Sequence, residues 1–444
     1  MLTPNRGDTV IDAQGGALLP GLHDHHLHLL SLAASLESLH CGPPQIDSEA
    51  GLIELLSRHN RSGKQGWIRA IGYHACVAGD IDRYWLDLHI PERPIRVQHR
   101  GGRLWVLNSC ALRALGENAL AGAPDGLEQV EGEYTGRLYE GDRWLREQLN
   151  SQMPSLDRAS RLLASYGITG VTDTTPHNGA QEWEFFQRSR RQGELRQNIR
   201  VMGSQALDGY TSSAMQHLGE YKIHLMESWL PDFDELCDDI NRAHLCERNV
   251  AIHCVTFAEL LFSLNALERA GVLCGDRIEH AAITPPRQLE QMAAMGLRVV
   301  TQPNFVAERG EQYLQDVDPD ELAWLYRCRS FLDAGVALAA GSDAPFGNPD
   351  PWFSMRAAVA RTTAQGGKVG CNERLSPEQA LGLFLAPLDS PGLQPRTLVE
   401  ESAADLCLLD CPWSKARSSL DQRHVKMTWC AGEVSYIKEA MYGF

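Results

Sequence analysis

Short apolar, β-rich runs alternate with helix-period segments along most of this chain, and that alternation limits the fold more than any other feature. The runs are 17–22 (ALLPGL), 67–72 (WIRAIG), 168–173 (ITGVTD), 199–203 (IRVMG), 221–226 (YKIHLM), 249–254 (NVAIHC), 277–280 (RIEH), 297–302 (LRVVTQ) and 336–343 (VALAAGSD). Between them, Phe233–Cys246, Phe257–Ala270, Pro286–Met295 and Leu322–Ala334 carry apolar residues at helical spacing. Alternation of this kind implies parallel strands joined by crossover helices. About eight such units favour an α/β fold closed as a (β/α)8, TIM-like barrel. The region from about 31 to 150, rich in Gly, Pro and Arg, breaks the rhythm and reads as an insertion after the first barrel strand.

A barrel of this class places its chemistry at the C-terminal ends of its strands. The stretch PGLHDHHLH (20–28) sets four histidines and an aspartate within six positions. Strand alternation puts Asp24, His26 and His28 on one face and His23 and His25 on the other. Two neutral imidazoles two residues apart can both reach one metal ion at roughly 2.0–2.1 Å; a polar strand end with solvated histidines is the bland alternative. Three later strand ends decide between them. His253 ends NVAIHC, His280 ends RIEH and Asp343 ends VALAAGSD, each a ligand-type residue behind an apolar run. Lys222 lies inside YKIHLM, where burial is costly unless the amine is paired or neutralised. His26, His28, Lys222, His253, His280 and Asp343 are therefore the expected metal site.

Composition removes other classes of partner. A formal charge of −16 over 444 residues argues against nucleic acid, which requires basic surface. No apolar stretch reaches membrane-spanning length, and MLTPNRGDTV lacks a basic segment followed by an apolar one. Twelve cysteines without a Cys-x-x-Cys suit reduced thiols. The expectation is a soluble, cytoplasmic protein without nucleic-acid or membrane partners.

With these residues assembled, the chain resembles the metal-dependent amidohydrolase superfamily, in particular its amidohydrolase-3 type, the N-substituted formamide deformylase-like group. PGLHDHHLH is similar to that superfamily's signature after the first strand, and Lys222, His253, His280 and Asp343 follow in the family's order, on strands four, five, six and eight. QHRGGRLWVLNSCAL (98–112), YGITGVTD (166–173), RIEHAAITPP (277–286), TQPNF (301–305), AGSDAPFGNPDPW (340–352) and ESAADLCLLD (401–410) are similar to segments typical of the group. The resemblance covers about residues 8–440.

It implies one or two divalent ions, zinc foremost, with a carboxylated Lys222 bridging a pair of ions. It also implies a C–N bond hydrolase acting on a small-molecule amide, an N-acyl or N-formyl compound, through metal-activated hydroxide. Asp343 is then ligand and proton shuttle, and His99 lies near the substrate pocket. A cyclic amidase or a heterocycle deaminase of the same superfamily stays open, and so, remotely, does a catalytically silent binding protein. Deaminases of the superfamily commonly carry a Glu just after the strand-five histidine, where this chain has Cys254. The family also builds a small β-sandwich from both chain ends, here 1–19 and 396–444, around a barrel over 20–395. The N-terminal share is short by several strands, so either the start is late or the sandwich is reduced. Unpaired edges would favour a homo-oligomer. His23 and His25 are expected to support or pack; His224 to line a pocket or do nothing; His177, Asp173 and Cys254 to be structural; and Trp105, Phe346 and Trp352 to form an apolar wall or ordinary core.

Overall fold

The computed structural model describes residues 10–43, 45–61, 66–149 and 153–438. Two compact units emerge, one running up to Leu29 and resuming at Ser155, the other spanning Leu30–Pro154.

In the first unit eight parallel strands follow one another around a barrel: Leu22–Leu27, Ile168–Asp173, Asn198–Gly203, Gln216–His224, Val250–Cys254, Arg277–His280, Arg298–Thr301 and Ala337–Ala340. The seam between the eighth and the first is closed by their C-terminal ends. Asp343 N donates to His26 O and His28 N to Ala344 O, each at 2.8 Å. Glycine makes that approach possible, because a Cβ on Gly341 would stand 2.4 Å from the His26 nitrogen. Helices Phe233–Leu245, Phe257–Ala270 and Pro286–Met295 occupy the crossovers. The second of these starts on a capping box in which Thr256 accepts from Glu259 N and the Glu259 carboxylate accepts from Thr256 N.

Three sequence expectations change in detail. The run 17–22 divides at Gly21, where a Cβ would meet the Thr169 side chain at 2.2 Å. Leu18–Pro20 joins a separate small sheet, and the barrel strand begins at Leu22. The run 67–72 lies in the second unit as Ile68–Tyr73, paired in parallel with Ile95–His99. Hydrophobicity alone does not say which sheet a strand enters. The helix expected over 322–334 is a 3-10 turn, Leu322–Trp324, and a short helix, Cys328–Asp333. Tyr326 interrupts it with a φ of 45°, and the Arg361 guanidinium takes the freed carbonyls of Leu325 and Tyr326 at 2.7 and 2.9 Å.

Both chain ends contribute to one four-stranded antiparallel sheet, Leu18–Pro20, Leu406–Leu409, Val425–Cys430 and Glu433–Ile437 in that order. Residues 1–9 and 439–444, assigned to the same region from sequence, lie outside the described residues. The second unit is a folded α/β body with a six-stranded mixed sheet. Leu52, Leu56, Ile68 and Val97 belong to one of its apolar clusters, and Trp105, Leu107 and Leu138 to another. Among the described residues no helix is long and apolar enough to cross a membrane, and all twelve cysteines are free thiols.

Buried charges lie among the apolar residues of the barrel strands. Arg200 pairs with Glu220 at 3.1 Å, Arg277 stands 3.9 Å from Glu220, and Arg277 also pairs with Glu279. Glu220, Arg277 and Glu279 are buried, so each buried acid has an arginine beside it.

Candidate metal centre

The strand ends bring the predicted ligands to one end of the barrel. His26 Nε2 and His28 Nε2 each lie 3.4 Å from Asp343 Oδ1. His26, His280 and Asp343 offer one ligand atom apiece, all within 4.8 Å of one another. Ring centroids of His26 and His280 are 4.7 Å apart, and those of His280 and His253 4.4 Å. His224, exposed at its strand end, stands 4.6 Å from His253. His99 belongs to the second unit, where its Nδ1 accepts from Gly101 N at 3.1 Å and its ring lies 5.6 Å from His74.

Each ring of the main cluster is oriented from behind. His26 Nδ1 bonds to Glu279 Oε2, His280 Nδ1 to Gln302 Oε1 at 2.6 Å, and His28 Nδ1 to Thr175 Oγ1 at 3.0 Å. A carboxylate or amide oxygen only accepts, so Nδ1 of His26 and His280 carries the proton and Nε2 keeps its lone pair. Such partners fix the tautomer of metal-ligating histidines. Burial lowers His280 to about 3, and burial together with His280 takes His253 well below the ordinary range. Both are neutral imidazoles, the form that coordinates. Burial alone would lower His26, but Glu279 and Asp343 raise it above its ordinary value. Burial would raise Asp343, yet His26 and His28 beside it hold it well below the usual carboxylate range. An anion facing two Nε2 atoms is a place where a cation fits.

Lys222 is 5% exposed, and its Nζ has no hydrogen-bond partner among the described residues. Burial lowers its pKa against the opposing pull of Glu279, and Arg277 lowers it further. Glu279 is already paired with Arg277, which leaves this amine without a counter-ion of its own among the described residues. Imidazole nitrogens, a carboxylate and an orphaned lysine amine make a donor set suited to zinc or a similar divalent ion.

Local geometry overrides simple alternation at two ligands. Glu279 and His280 are consecutive, so an extended strand would send them to opposite faces. Instead His280 (φ 68°) and Ala281 (φ 45°) turn left-handed, and both Glu279 and His280 meet the His26 ring. Asp343 is also left-handed, with φ 55°. Asp24, on the same face as His26, is aimed at the seam. Its carboxylate accepts from Ser342 N at 3.0 Å, Ser342 Oγ at 2.5 Å and His26 N at 3.1 Å. It anchors the neighbour of Asp343, and burial pushes its own pKa to about 6.

Sequence reasoning passed over Glu279, Gln302 and Thr175. Glu279 did carry a signal, since Arg277 and Glu279 are an opposite-charge pair at strand spacing inside an otherwise buried run. Gln302 and Thr175 carry none. His23 Nδ1 meets Ala386 O at 2.9 Å, and His25 is fully buried. Asp173 accepts from Leu29 N at 2.7 Å and Asn178 Nδ2 at 2.7 Å. The Cys254 thiol, pushed to about 12 by burial, sits 3.2 Å from Ser263 Oγ. Trp352 is buried with its Nε1 donating to Tyr166 O, and Trp105 is core of the second unit. Phe346 alone of the three aromatics stands at the centre, 5.5 Å from the His28 ring.

The model of the Amidohydrolase family matches residues 9–436. An N-substituted formamide deformylase from Arthrobacter pascens is 27% identical, covering 96% of this chain and 90% of the relative. A putative amidohydrolase from Bacillus subtilis is 22% identical over 80% of this chain and 75% of its own length. Among solved structures, an uncharacterized metal-dependent hydrolase from Pyrococcus horikoshii superposes with a TM-score of 0.71 at 22% identity, covering 91% of this chain and 88% of that one.

Proposed function

Since the chain belongs to the amidohydrolase family, we propose that it is a metal-dependent C–N hydrolase, an amidase acting on an N-formyl or N-acyl compound. The observation that carries this reading is the cluster of His26, His280 and Asp343 ligand atoms within 4.8 Å, with the Nδ1 of both histidines already engaged. His26, His28 and Asp343 would hold one divalent ion, and His253 and His280 a second. Bound there, such an ion would supply a water whose pKa is lowered towards about 7 and a Lewis acid for the scissile carbonyl.

The remaining work falls to the chain's own groups. Asp343 Oδ1, kept ionised by His26 and His28, accepts the proton of the attacking water and passes it to the leaving nitrogen. Glu279, Gln302 and Thr175 keep the rings from turning. Lys222, held towards its neutral form by burial, is the nucleophile for carbon dioxide. The neutral Nζ would form an N–C bond as one C=O electron pair of carbon dioxide moves to oxygen, and one N–H proton would pass to solvent, leaving a carbamate anion that could serve as a further metal ligand. The relative's activity on N-substituted formamides supports the N-formyl class as the first to try.

The test is elemental analysis of protein prepared without chelator, joined to a screen of N-formyl, N-acyl and cyclic amides. One or two divalent ions per chain and turnover of an open-chain amide are expected. Full activity in a metal-free preparation would overturn the assignment, and turnover of cyclic amides alone would move the enzyme to the ring-opening branch.

A further inference from the structure

Beyond the metal ligands, one cation stands beside the centre with no ion-pair contact among the described residues. Arg309 lies on the helix Asn304–Asp316, which follows the seventh barrel strand. Its Nη2 donates to Phe346 O at 2.8 Å, and its Cζ is stacked 3.9 Å from the Phe305 ring centroid. Phe346 in turn donates its N–H to Asp343 O at 2.8 Å and sets its ring 5.5 Å from His28. The guanidinium is thus one residue removed from two metal ligands, and Asp343 is among the charges that act on it.

No described carboxylate lies within 4.0 Å of this guanidinium. Glu308, beside it in sequence, acts on it without an ion-pair contact, its Oε1 accepting from Asn304 Nδ2 at 2.9 Å and Asn348 N at 3.0 Å. Tyr313, whose hydroxyl is 3.2 Å from that of Tyr326, takes one hydrogen bond from Arg309, which leaves further donors of the fork. Elsewhere in the barrel interior each arginine has a glutamate beside it. Arg361, buried and without an acid, instead spends its fork on the carbonyls of Val369, Tyr326 and Leu325, whereas Arg309 meets a single backbone carbonyl. A planar fork with donors to spare is the side chain that binds a carboxylate through two parallel hydrogen bonds.

We propose that Arg309 recognises a carboxylate on the substrate, so that the preferred amide is an N-acyl amino acid rather than the amide of a simple amine. Phe346 and Phe305 then provide the apolar surface beside the charge. The inference rests on the amidase reading above and narrows it to acidic amides.

The test uses the zinc-loaded full chain and two substrates that differ only in the charged group, N-formyl-phenylalanine and N-formyl-phenethylamine. The acid should have the higher kcat/KM by ~10–100-fold, the usual scale of a charge-assisted hydrogen bond. Arg309→Met should bring the ratio towards one, chiefly by raising KM for the acid, and Arg309→Lys should keep part of the preference. The wild-type ratio needs no variant to fold. A wild-type enzyme that cleaves the neutral amide as well as the acid overturns the carboxylate assignment and leaves the amidase reading standing. Equal losses on both substrates in Arg309→Met, marking a purely structural role, overturn it too. Turnover of neither substrate nor any other amide removes the amidase reading and this inference together.

Discussion

Replacing Glu279 by Gln tests the part of the site that holds its ligands in place. In the native protein one carboxylate oxygen accepts from His26 Nδ1 and the other pairs with Arg277, all three side chains being buried. Burial raises Glu279, but Arg277, Lys222 and His26 together hold it well below the ordinary carboxylate range. An amide of the same size can still accept from His26, but only by turning its NH2 towards Arg277, which also only donates. Breaking a buried ion pair from one side costs about 3–5 kcal/mol. Loss of an outer partner to a ligating histidine typically weakens metal binding by about 10–100-fold.

Both losses are expected here and they can be separated. Denaturant unfolding of the chelated protein reads the first; a zinc competition titration reads the second. Adding Arg277→Met removes the stranded cation, so the double variant should recover part of the stability and little of the zinc affinity. pH supplies an independent arm. A carboxylate with a depressed folded pKa stabilises fully above its unfolded value of about 4.5, and that contribution fades as pH falls towards the folded value. Wild-type stability should therefore drop more steeply below about pH 4.5 than that of Glu279→Gln. Unchanged zinc affinity, with stability within about 0.5 kcal/mol of wild type, would refute the reasoning.

Asp343→Asn should fold and retain most of its metal while turnover falls by roughly 10²–10⁴, the usual contribution of a positioned acid–base group; a parent-like rate removes Asp343 from the chemistry. His26→Ala, by contrast, should lose zinc and rate together, read by elemental analysis and assay on one preparation. Lys222→Ala should lose the second ion and most activity, with partial recovery on adding a short-chain carboxylic acid; full activity without additive argues against a bridging lysine. Gly341→Ala places a methyl 2.4 Å from the backbone nitrogen of His26, so it should destabilise the seam by about 1–3 kcal/mol and weaken zinc binding with it, whereas wild-type-like unfolding would mean the seam relaxes freely.

Much of this protein is written locally. Alternating strands and helices specify a parallel barrel, because a strand feeding a crossover helix returns in parallel. Such a barrel in turn places His26, His253, His280 and Asp343 at one rim whatever the loops do. That is why ligand-type residues at strand ends could be read as a metal site, and why Lys222, inside a buried run, stood out as uncompensated. The sequence did not carry the partners that make the site work. Glu279 lies 253 positions from the His26 ring it orients, and Thr175 lies 147 from His28. No spacing rule spans such distances; pairing of the first strand with the second brings Thr175 to His28, and the barrel brings Glu279 of the sixth strand to the His26 ring. Alternation grouped Asp24 with the ligands, yet its carboxylate is drawn to Ser342, 318 residues on. It also separated Glu279 from His280, which a left-handed turn reunites around His26. Strand period is a property of the chain, whereas the direction of a buried charge is set by whichever opposite charge or donor the tertiary fold places beside it.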